Sequence, residues 1–575
     1  MAHRVADELI SRLAEAGVER IYGVVGDSLN PVTDALRLND KVKWIHVRNE
    51  EAGAFAAGAE AQLSGKLAAC AGSCGPGNLH LINGLFDAHR SNAPVLAIAS
   101  HIPTSEIGTG YFQETHPEIL FKECSHYCEL ISSPEQFERV LHIATQSAIG
   151  KGGVGVIVLP GDVAGMEIPD NGSARSVVQH RPSIRPCEND LAQLADLINR
   201  SKKVALFCGI GCANAHDEVI ALAEKLNSPV GHSYRGKPFL EYDNPFEVGM
   251  SGLLGFGAAY QAMHDCDLLL LLGTDFPYDK FLPTKPKIVQ LDIRVENLGR
   301  RSKLDLGLLG DVRETILALL PMIEAKLDRS FLDAMLGNHK DALHRLNVYV
   351  DHVRKRSPMH PEAVAAALSQ VAADDAIFTA DTGMCNVWSS RYIRATKDRR
   401  LIGSFNHGSM ANALPQAIGA QLCYPGRQVI AMAGDGGLAM LMGDLLTVTQ
   451  YDLPIKIVVF NNSVLGMVKL EMEVAGLPDY QTDLKNPNFA KLAEAIGMMG
   501  IRIENPADVS SGLKQALQHS GPALIDVVTD PNALSLPSHI EPEMVVGFGL
   551  TMGKLVLSGR IDEVVDTLTT NVRLI

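Results

Sequence analysis

Basic residues are in deficit. The chain carries 51 Lys and Arg against 66 Asp and Glu, a formal net charge of -15. A nucleic-acid partner requires a basic face, so this balance argues against one. It gives no support to electrostatic docking on anionic lipid either. Long apolar runs are also missing. The longest purely aliphatic run, Leu268 to Leu272, falls well short of the ~20 apolar residues of a membrane-spanning helix and reads as a buried strand. The N-terminal segment MAHRVADELISRLAEAGVERIYGV has charges throughout and no apolar core. It reads as an amphipathic helix running into a strand, not as a signal peptide. None of the ten cysteines forms the Cys-x2-Cys pair that zinc and redox sites favour. Three pairs have the spacing Cys-x3-Cys: Cys70/Cys74, Cys124/Cys128 and Cys208/Cys212. They are expected to be reduced, mostly buried thiols of a cytoplasmic protein.

What is present is a chain of 575 residues, 46% hydrophobic, with 51 glycines. At roughly 150 residues per domain this suggests three or four domains. Short apolar segments alternate with helix-period segments throughout, which predicts parallel α/β sheets. Three blocks stand out. The first covers about 1–175 and ends in the strand GVGVIVLP. A Pro/Ser/Arg-rich linker follows, over 169–186. The second block, about 186–340, contains the strands KVALFCG, DLLLLLG and KIVQLDI, and ends near RKRSPMHPE. The third, about 358–530, contains AIFTAD, QVIAMAG, IKIVVFNN and ALIDVV.

The sharpest signal is AMAGDGGLAM followed by IVVFNNSVLG. Gly434-Asp435-Gly436 ends one strand and Asn461-Asn462 ends another, with the 24 residues 437 to 460 between the motifs. That length holds one crossover helix, so both loops should emerge at the same carboxyl edge of a parallel sheet, where such sheets bind ligands. A diphosphate with Mg2+ needs hard oxygen ligands. Asp435 offers a carboxylate, Asn462 an amide oxygen and Val464 a backbone carbonyl. The glycines let N–H groups approach phosphate at a helix N-terminus. The combination resembles the motif of the thiamin-diphosphate (ThDP)-dependent 2-oxo-acid decarboxylase superfamily.

The resemblance implies a glutamate that bonds the pyrimidine N1' of ThDP from an apolar setting. In VKWIHVRNEEAGAFAAGAEA the candidate is Glu50. Asn49 stands where the superfamily pattern has histidine, a departure that leaves the glutamate in place. The plainer reading is that Glu50 and Glu51 favour a helix N-terminus. The resemblance also implies a bulky apolar residue under the bent cofactor, and Met410 in NHGSMANALPQAIGA matches it; the plainer reading is core packing.

In the second block, KVALFCGIGCANA places Gly209-x-Gly211 after a strand. It resembles a nucleotide-binding turn without the third glycine. Asp292 ends another apolar strand, where a carboxylate can accept from a ribose diol or simply cap a strand end. The phrases GSCGPGNLHLINGLFDAHR, GYFQETHP, FKECSHYCELISSPEQ, EYDNPFEVGM and KIVVFNNSVLG resemble the family of bacterial pyruvate:ubiquinone oxidoreductases over essentially the whole chain. That resemblance implies three doubly wound parallel-sheet α/β domains: PYR over 1–182, a central FAD-binding domain over 183–345 and PP over 346–530. A C-terminal amphipathic helical tail, 531–575, would bind the membrane.

Position by position, Ser251, Gly252, Leu253 and Leu254 would hold FAD. So would Thr274, Asp275, Phe276, Pro277 and Tyr278, together with Asp292. Gly408, Ser409 and Met410, then Asp435, Gly436 and Gly437, would hold ThDP. Asn462, Ser463, Val464, Leu465, Gly466, Met467 and Val468 would complete that site, with Asp435, Asn462 and Val464 on Mg2+. Phe112 would line the substrate pocket. Met467 occupies a pocket position where a relative has phenylalanine, a difference that bears on substrate preference.

The implied reaction is oxidative decarboxylation of pyruvate to acetate and CO2, with electrons passing through FAD to a membrane quinone of the ubiquinone type. The implied assembly is a homotetramer at the inner face of the cell membrane. Alternatives are a phosphate-dependent pyruvate oxidase using O2, an acetohydroxyacid synthase-like carboligase, and a regulatory subunit that keeps the fold as a scaffold; intact Glu50, Asp435 and Asn462 count against the last. In the tail, Val545, Phe548, Met552, Leu555 and Val556 follow one helical face, and Ile561, Val564, Val565, Leu568 and Val572 another. Residues 541–575 hold three Lys and Arg against five Asp and Glu, so any lipid affinity would come from apolar burial.

Overall fold

The computed structural model describes residues 3–169, 176–178, 183–351, 357–533, 542–558 and 560–571. Much of the expected linker over 169–186, part of RKRSPMHPE and Val572 lie outside the described residues.

Three parallel sheets follow one another along the chain. The first contains β1 (Arg20–Gly23), β2 (Lys43–His46), β3 (Ala68–Gly72), β4 (Val95–His101), β5 (Tyr127–Leu130) and β6 (Val154–Pro160), in the order β2-β1-β3-β4-β6-β5. The second contains β7 (Val204–Cys208), β8 (Val230–His232), β9 (Glu247–Met250), β10 (Phe256–Gly257), β11 (Leu268–Leu272), β12 (Lys287–Asp292) and β13 (Leu306–Leu309). Its order is β10-β9-β8-β7-β11-β12-β13, and only the β9–β10 pair is antiparallel. The third contains β14 (Ile377–Ala380), β15 (Arg400–Gly403), β16 (Val429–Gly434), β17 (Lys456–Asn461), β18 (Met499–Ile503) and β19 (Ala523–Val528), in the order β15-β14-β16-β17-β19-β18.

Central strands such as β3, β4, β6, β11 and β17 are buried along their whole length. Helices cover both sheet faces, so these strands need no alternation of polar residues. This is why their sequences read as unbroken aliphatic runs. Each sheet also reverses its winding at an internal point: between β1 and β3, between β7 and β11, and between β14 and β16. At such points the loops diverge at the carboxyl edge and leave a crevice. The helix Ser330–Asp351 spans the expected boundary at 345/346.

The first and third domains meet where the helix Glu50–Ser64 crosses the helix Ala413–Cys423. At Gly419 a Cβ would lie 2.1 Å from the Ala56 carbonyl oxygen, so this crossing requires glycine. The alanine-rich sequence of the first helix serves the same close approach. The central domain is tied in by arginines donating to carbonyls. Arg391 reaches Leu254 O and Gly255 O, and Arg235 reaches Ser91 O.

The tail folds as two helices, Pro542–Leu557 and Ile561–Asn571, and packs against the third domain. Among the described residues no helix is long and apolar enough to cross a membrane. The two apolar stripes do not each form one inward face. Phe548, Met552, Leu555 and Val564 pack together, whereas Val545, Val556, Ile561, Val565 and Leu568 are exposed. Much of the inward surface is polar: Thr551, Thr567, Thr570 and Asn571 are buried.

Candidate active site

Most of the residues read from the sequence follow the carboxyl ends of strands in the three sheets. In the third domain, the β16 exit runs directly into the helix Asp435–Leu441. The Asp435 carboxylate is buried and accepts from Gly436 N (2.9 Å), Ser463 N (2.6 Å) and Asn486 Nδ2 (2.7 Å). Burial pushes its pKa upward, partly offset by these bonds. It has no ion-pair partner among the described residues. A buried carboxylate without a cation suits a metal ion. Asn462 Oδ1 accepts from Val464 N at 3.1 Å, and Ser463 takes a φ of 57°, which turns the loop back toward Asp435. No group of three or more His, Cys, Asp or Glu gathers for a metal among the described residues. The set Asp435, Asn462 and Val464 is instead all-oxygen, as Mg2+ prefers.

Gly437 and Met410 explain each other's surroundings through Asp381, a residue the sequence reading passed over. Asp381 follows β14, on the other side of the crevice. Its carboxylate is buried and accepts from Ala413 N (2.8 Å) and Gly434 N (3.1 Å). Burial pushes it up to about 7. A Cβ at Gly437 would lie 2.4 Å from Asp381 Oδ2, and one at Gly436 3.5 Å from Met410 Cε. Asp381 thus clamps the 434–437 turn to the 408–413 loop, and Met410 reaches over Gly436. Gly408 has a φ of 80°, and Ser409 donates to Met410 O at 2.9 Å. Leu465 N donates to Thr482 O (2.8 Å), and Gly466 opens the helix Gly466–Val474, with Met467 half-buried and Val468 exposed.

In the first domain Glu50 begins the helix Glu50–Ser64 and is 7% exposed. Asn49 caps that helix by accepting from Glu51 N at 2.9 Å, the ordinary work of asparagine there. Glu50 Oε2 lies 2.9 Å from His80 Nδ1, and a Cβ at Gly77 would come 3.0 Å from Oε1. The adjacent Glu51 links outward: Asn83 Nδ2 donates to Glu51 Oε1 (2.7 Å) and to Ser409 Oγ (2.9 Å), and Asn83 Oδ1 lies 2.8 Å from His407 Nε2. Phe112 lines no closed pocket in the single chain; it is 77% exposed.

In the central domain Gly209 and Gly211 are accounted for by packing. A Cβ at Gly211 would lie 2.6 Å from Gly273 Cα, so these glycines let the β7 and β11 turns touch. Ser251 is buried and its Oγ has no hydrogen bond among the described residues. Gly252 has a φ of 116° and faces Phe276 and Tyr278, whose rings meet edge-on at 5.4 Å. Leu253 and Pro277 are exposed; Leu254 is half-buried. Thr274 and Asp292 are buried, and Asp292 Oδ1 accepts from Arg294 N at 2.9 Å. Asp275 pairs with Arg300 and Arg301. A glycine-opened crevice with an orphaned serine hydroxyl and a buried carboxylate fits a dinucleotide. All ten cysteines are free thiols, and the buried ones include both members of Cys70/Cys74 and Cys208/Cys212 together with Cys124.

Comparison with known proteins matches three family models in order. They are the thiamine pyrophosphate enzyme N-terminal TPP-binding domain over 3–119, the central domain over 191–319 and the C-terminal TPP-binding domain over 381–527. The chain is 35% identical over 556 residues to a putative thiamine pyrophosphate-containing protein of Bacillus subtilis, covering 96% of each. It is 32% identical to a pyruvate oxidase of Lactiplantibacillus plantarum, covering 91% of this chain and 88% of that one. It is 31% identical to an acetolactate synthase large subunit of Parasynechococcus marenigrum, covering 94% and 92%.

Proposed function

Starting from the fact that this chain belongs to the thiamin-diphosphate enzyme family, whose chemistry is decarboxylative and acts on 2-oxo acids, we propose that it oxidatively decarboxylates pyruvate, with the electrons leaving through FAD. The observation that carries the reading is the buried, cation-free Asp435 carboxylate at the β14/β16 crevice, backed by Asn462 and Val464. When bound, ThDP supplies a carbon nucleophile that adds to the 2-oxo group and lets CO2 leave, and FAD accepts the two electrons. The chain's own part is to hold and protonate. Asp435, Asn462 and the Val464 carbonyl would hold Mg2+ against the diphosphate. Met410 would support the cofactor's bend. Glu50, buried beside Gly77 and His80, would hold a proton toward the pyrimidine N1'.

A second copy of the chain belongs to this proposal. Val25, Leu79, Met440 and Leu446 are exposed on segments leaving the first and third crevices, and a homo-oligomer, proposed as a tetramer, would cover them. Phe112, open in one chain, would then line a pocket.

The relatives' names support an oxygen-linked pyruvate oxidase, or a carboligase, more directly than a quinone-linked enzyme. The oxidase reading expects acetyl phosphate formation that requires added phosphate, with O2 consumed. Acetate as the product, with fast reoxidation by a ubiquinone analogue and slow reoxidation by O2, would move the enzyme to the quinone reading. Acetolactate as the main product would make it a synthase.

One observation favours the quinone reading. The tail leaves Val545, Val546, Leu550, Leu557, Ile561 and Val565 exposed, Leu557 at 89%. It is held by polar contacts from both helices: Arg560–Asp479 (2.7 Å), Thr551 Oγ1 to Glu473 O (2.8 Å), Lys554 Nζ to Gly476 O (2.7 Å), Thr570 Oγ1 to Asp530 Oδ2 (3.1 Å) and Asn571 Nδ2 to Asn532 O (2.7 Å). The first three partners lie in or just past the helix that opens at Gly466. Full burial of each such apolar side chain contributes roughly 1.5–3 kcal/mol, enough to bias docking on a lipid interface. Release requires the tail to bind one redox state better than the other. Truncation before Pro542, which removes both tail helices, is expected to spare pyruvate-dependent ferricyanide reduction and to abolish lipid stimulation and liposome flotation of the reduced enzyme. A truncated enzyme that still floats when reduced would make the tail a packing element only.

A further inference from the structure

On both sides of β12 the chain is strongly basic. From 280 to 303 it carries seven Lys and Arg against two acidic residues, in a protein of net charge -15. Arg294 donates to Gly152 O at 3.2 Å and also reaches Lys151 O, so it serves domain docking. Arg300 and Arg301 do something different: both guanidiniums converge on the single carboxylate of Asp275, in the loop after β11. We propose that Arg300 and Arg301 are a diphosphate clamp for an adenine nucleotide, and that Asp275 is their internal counter-ion, exchanged for phosphate oxygens when the nucleotide binds. The proposal rests on the central domain being the dinucleotide domain.

The clamp is built into the crevice. Gln290 on β12 is buried; its Nε2 donates to Thr274 O (3.1 Å) and its Oε1 accepts from Gly299 N (2.9 Å). One side chain therefore fixes the two loops that face each other, Thr274–Tyr278 and Gly299–Arg301. Gly299, with a φ of 73°, supplies the left-handed turn just before the two arginines that pair with Asp275 in the loop after β11, on the strand edge where a nucleotide is expected. Asp292, at the end of the same strand, supplies a buried carboxylate.

The donors outnumber the acceptor. Two guanidiniums carry ten N–H groups between them, and a carboxylate accepts about four bonds. Arg300 uses Asp275 and Asn297 Oδ1 (2.9 Å). Arg301 reaches Asp275 Oδ1 through its Nε, an ion-pair contact at 3.4 Å, and that solvent-shielded Nε makes no hydrogen bond among the described residues. A shielded, unsatisfied guanidinium N–H beside a half-exposed one matches a planar, multi-oxygen anion. An exposed ion pair formed for stability alone contributes little and does not account for that arrangement.

The test uses the full-length chain freed of flavin, with ADP, adenosine and inorganic phosphate as probes in calorimetry at two salt concentrations. Arg300→Gln/Arg301→Gln is expected to weaken ADP binding about ten- to a hundred-fold, the range for losing hydrogen bonds to a charged partner. It should leave adenosine unchanged and flatten the salt dependence. Arg300→Lys/Arg301→Lys, which keeps charge and loses the fork, should fall between, and flavin release from the loaded protein should accelerate in the same order. Asp275→Asn should tighten ADP binding by removing the competitor; weaker binding there would overturn the counter-ion role. Unchanged ADP affinity and salt dependence in both double variants would overturn the clamp while leaving the nucleotide domain standing. Inorganic phosphate binding as tightly as ADP would overturn the nucleotide assignment in favour of a simple anion site. A wild-type chain that binds neither ADP nor FAD would remove the dinucleotide reading and the clamp together.

Discussion

Glu50→Gln is expected to lower pyruvate turnover by about 10²- to 10⁴-fold, the usual range for removing a positioned acid or base, while ThDP still binds. Glutamine keeps the shape of the side chain, so the close packing at Gly77 and a hydrogen bond to His80 can persist. What it loses is the ability to give up and take back a proton. The site favours that role: the carboxyl is 7% exposed, and its one observed side-chain partner is an imidazole rather than a fixed cation. Glu51 serves as the internal control. It bonds Asn83, which in turn bonds Ser409, so Glu51→Gln should disturb the contact between domains more than the proton. Calorimetry for ThDP alongside turnover separates the two. Near-normal turnover in Glu50→Gln would remove Glu50 from the chemistry.

Asp435→Ala is expected to abolish Mg2+-dependent ThDP binding. The neighbouring Asp381 carboxylate is already engaged by Ala413 N and Gly434 N, so a bound diphosphate would lose its principal route to charge neutralisation. The substitution also removes the acceptor of three N–H donors, from Gly436, Ser463 and Asn486, of which Asn486 keeps its bond to Asn461 Oδ1. Asp435→Asn keeps the volume and one acceptor oxygen, so it should fold with less disturbance and still bind Mg2+–ThDP far more weakly than the native chain. Titrations with and without Mg2+ give the answer directly. Unchanged ThDP affinity in the asparagine variant would mean that the metal sits elsewhere.

The GDG and NN motifs were legible because parallel strands joined by one crossover must release both loops at the same edge. Nothing comparable pointed to Asp381 or Asn486. They lie 54 residues before and 51 residues after Asp435, and only the order β14-β16-β17 brings Asp381 beside it. The two glycines of CGIGC looked like a phosphate turn, but their absent side chains make room for the β11 turn at Gly273. Spacing alone does not distinguish a glycine that admits a ligand from one that admits backbone. The tail shows the limit of helical periodicity. The pattern located both helices, yet buried Thr551, Thr567, Thr570 and Asn571 together with only part of each apolar stripe, because the facing partners were unknown. The pairing of Asp275 with two arginines 25 and 26 residues away depends likewise on a loop conformation set by Gln290 and Gly299.

The central claim is that pyruvate loses CO2 at a ThDP site and that its electrons enter a flavin held in the same chain. The most direct measurement mixes pyruvate with the FAD-, ThDP- and Mg2+-loaded protein under anaerobic conditions and follows the flavin absorbance band. Bleaching that requires ThDP and Mg2+, with one CO2 released per flavin reduced, is the result this account predicts. An oxidised flavin spectrum that persists while pyruvate is consumed would contradict it and assign the chain to non-oxidative carboligation.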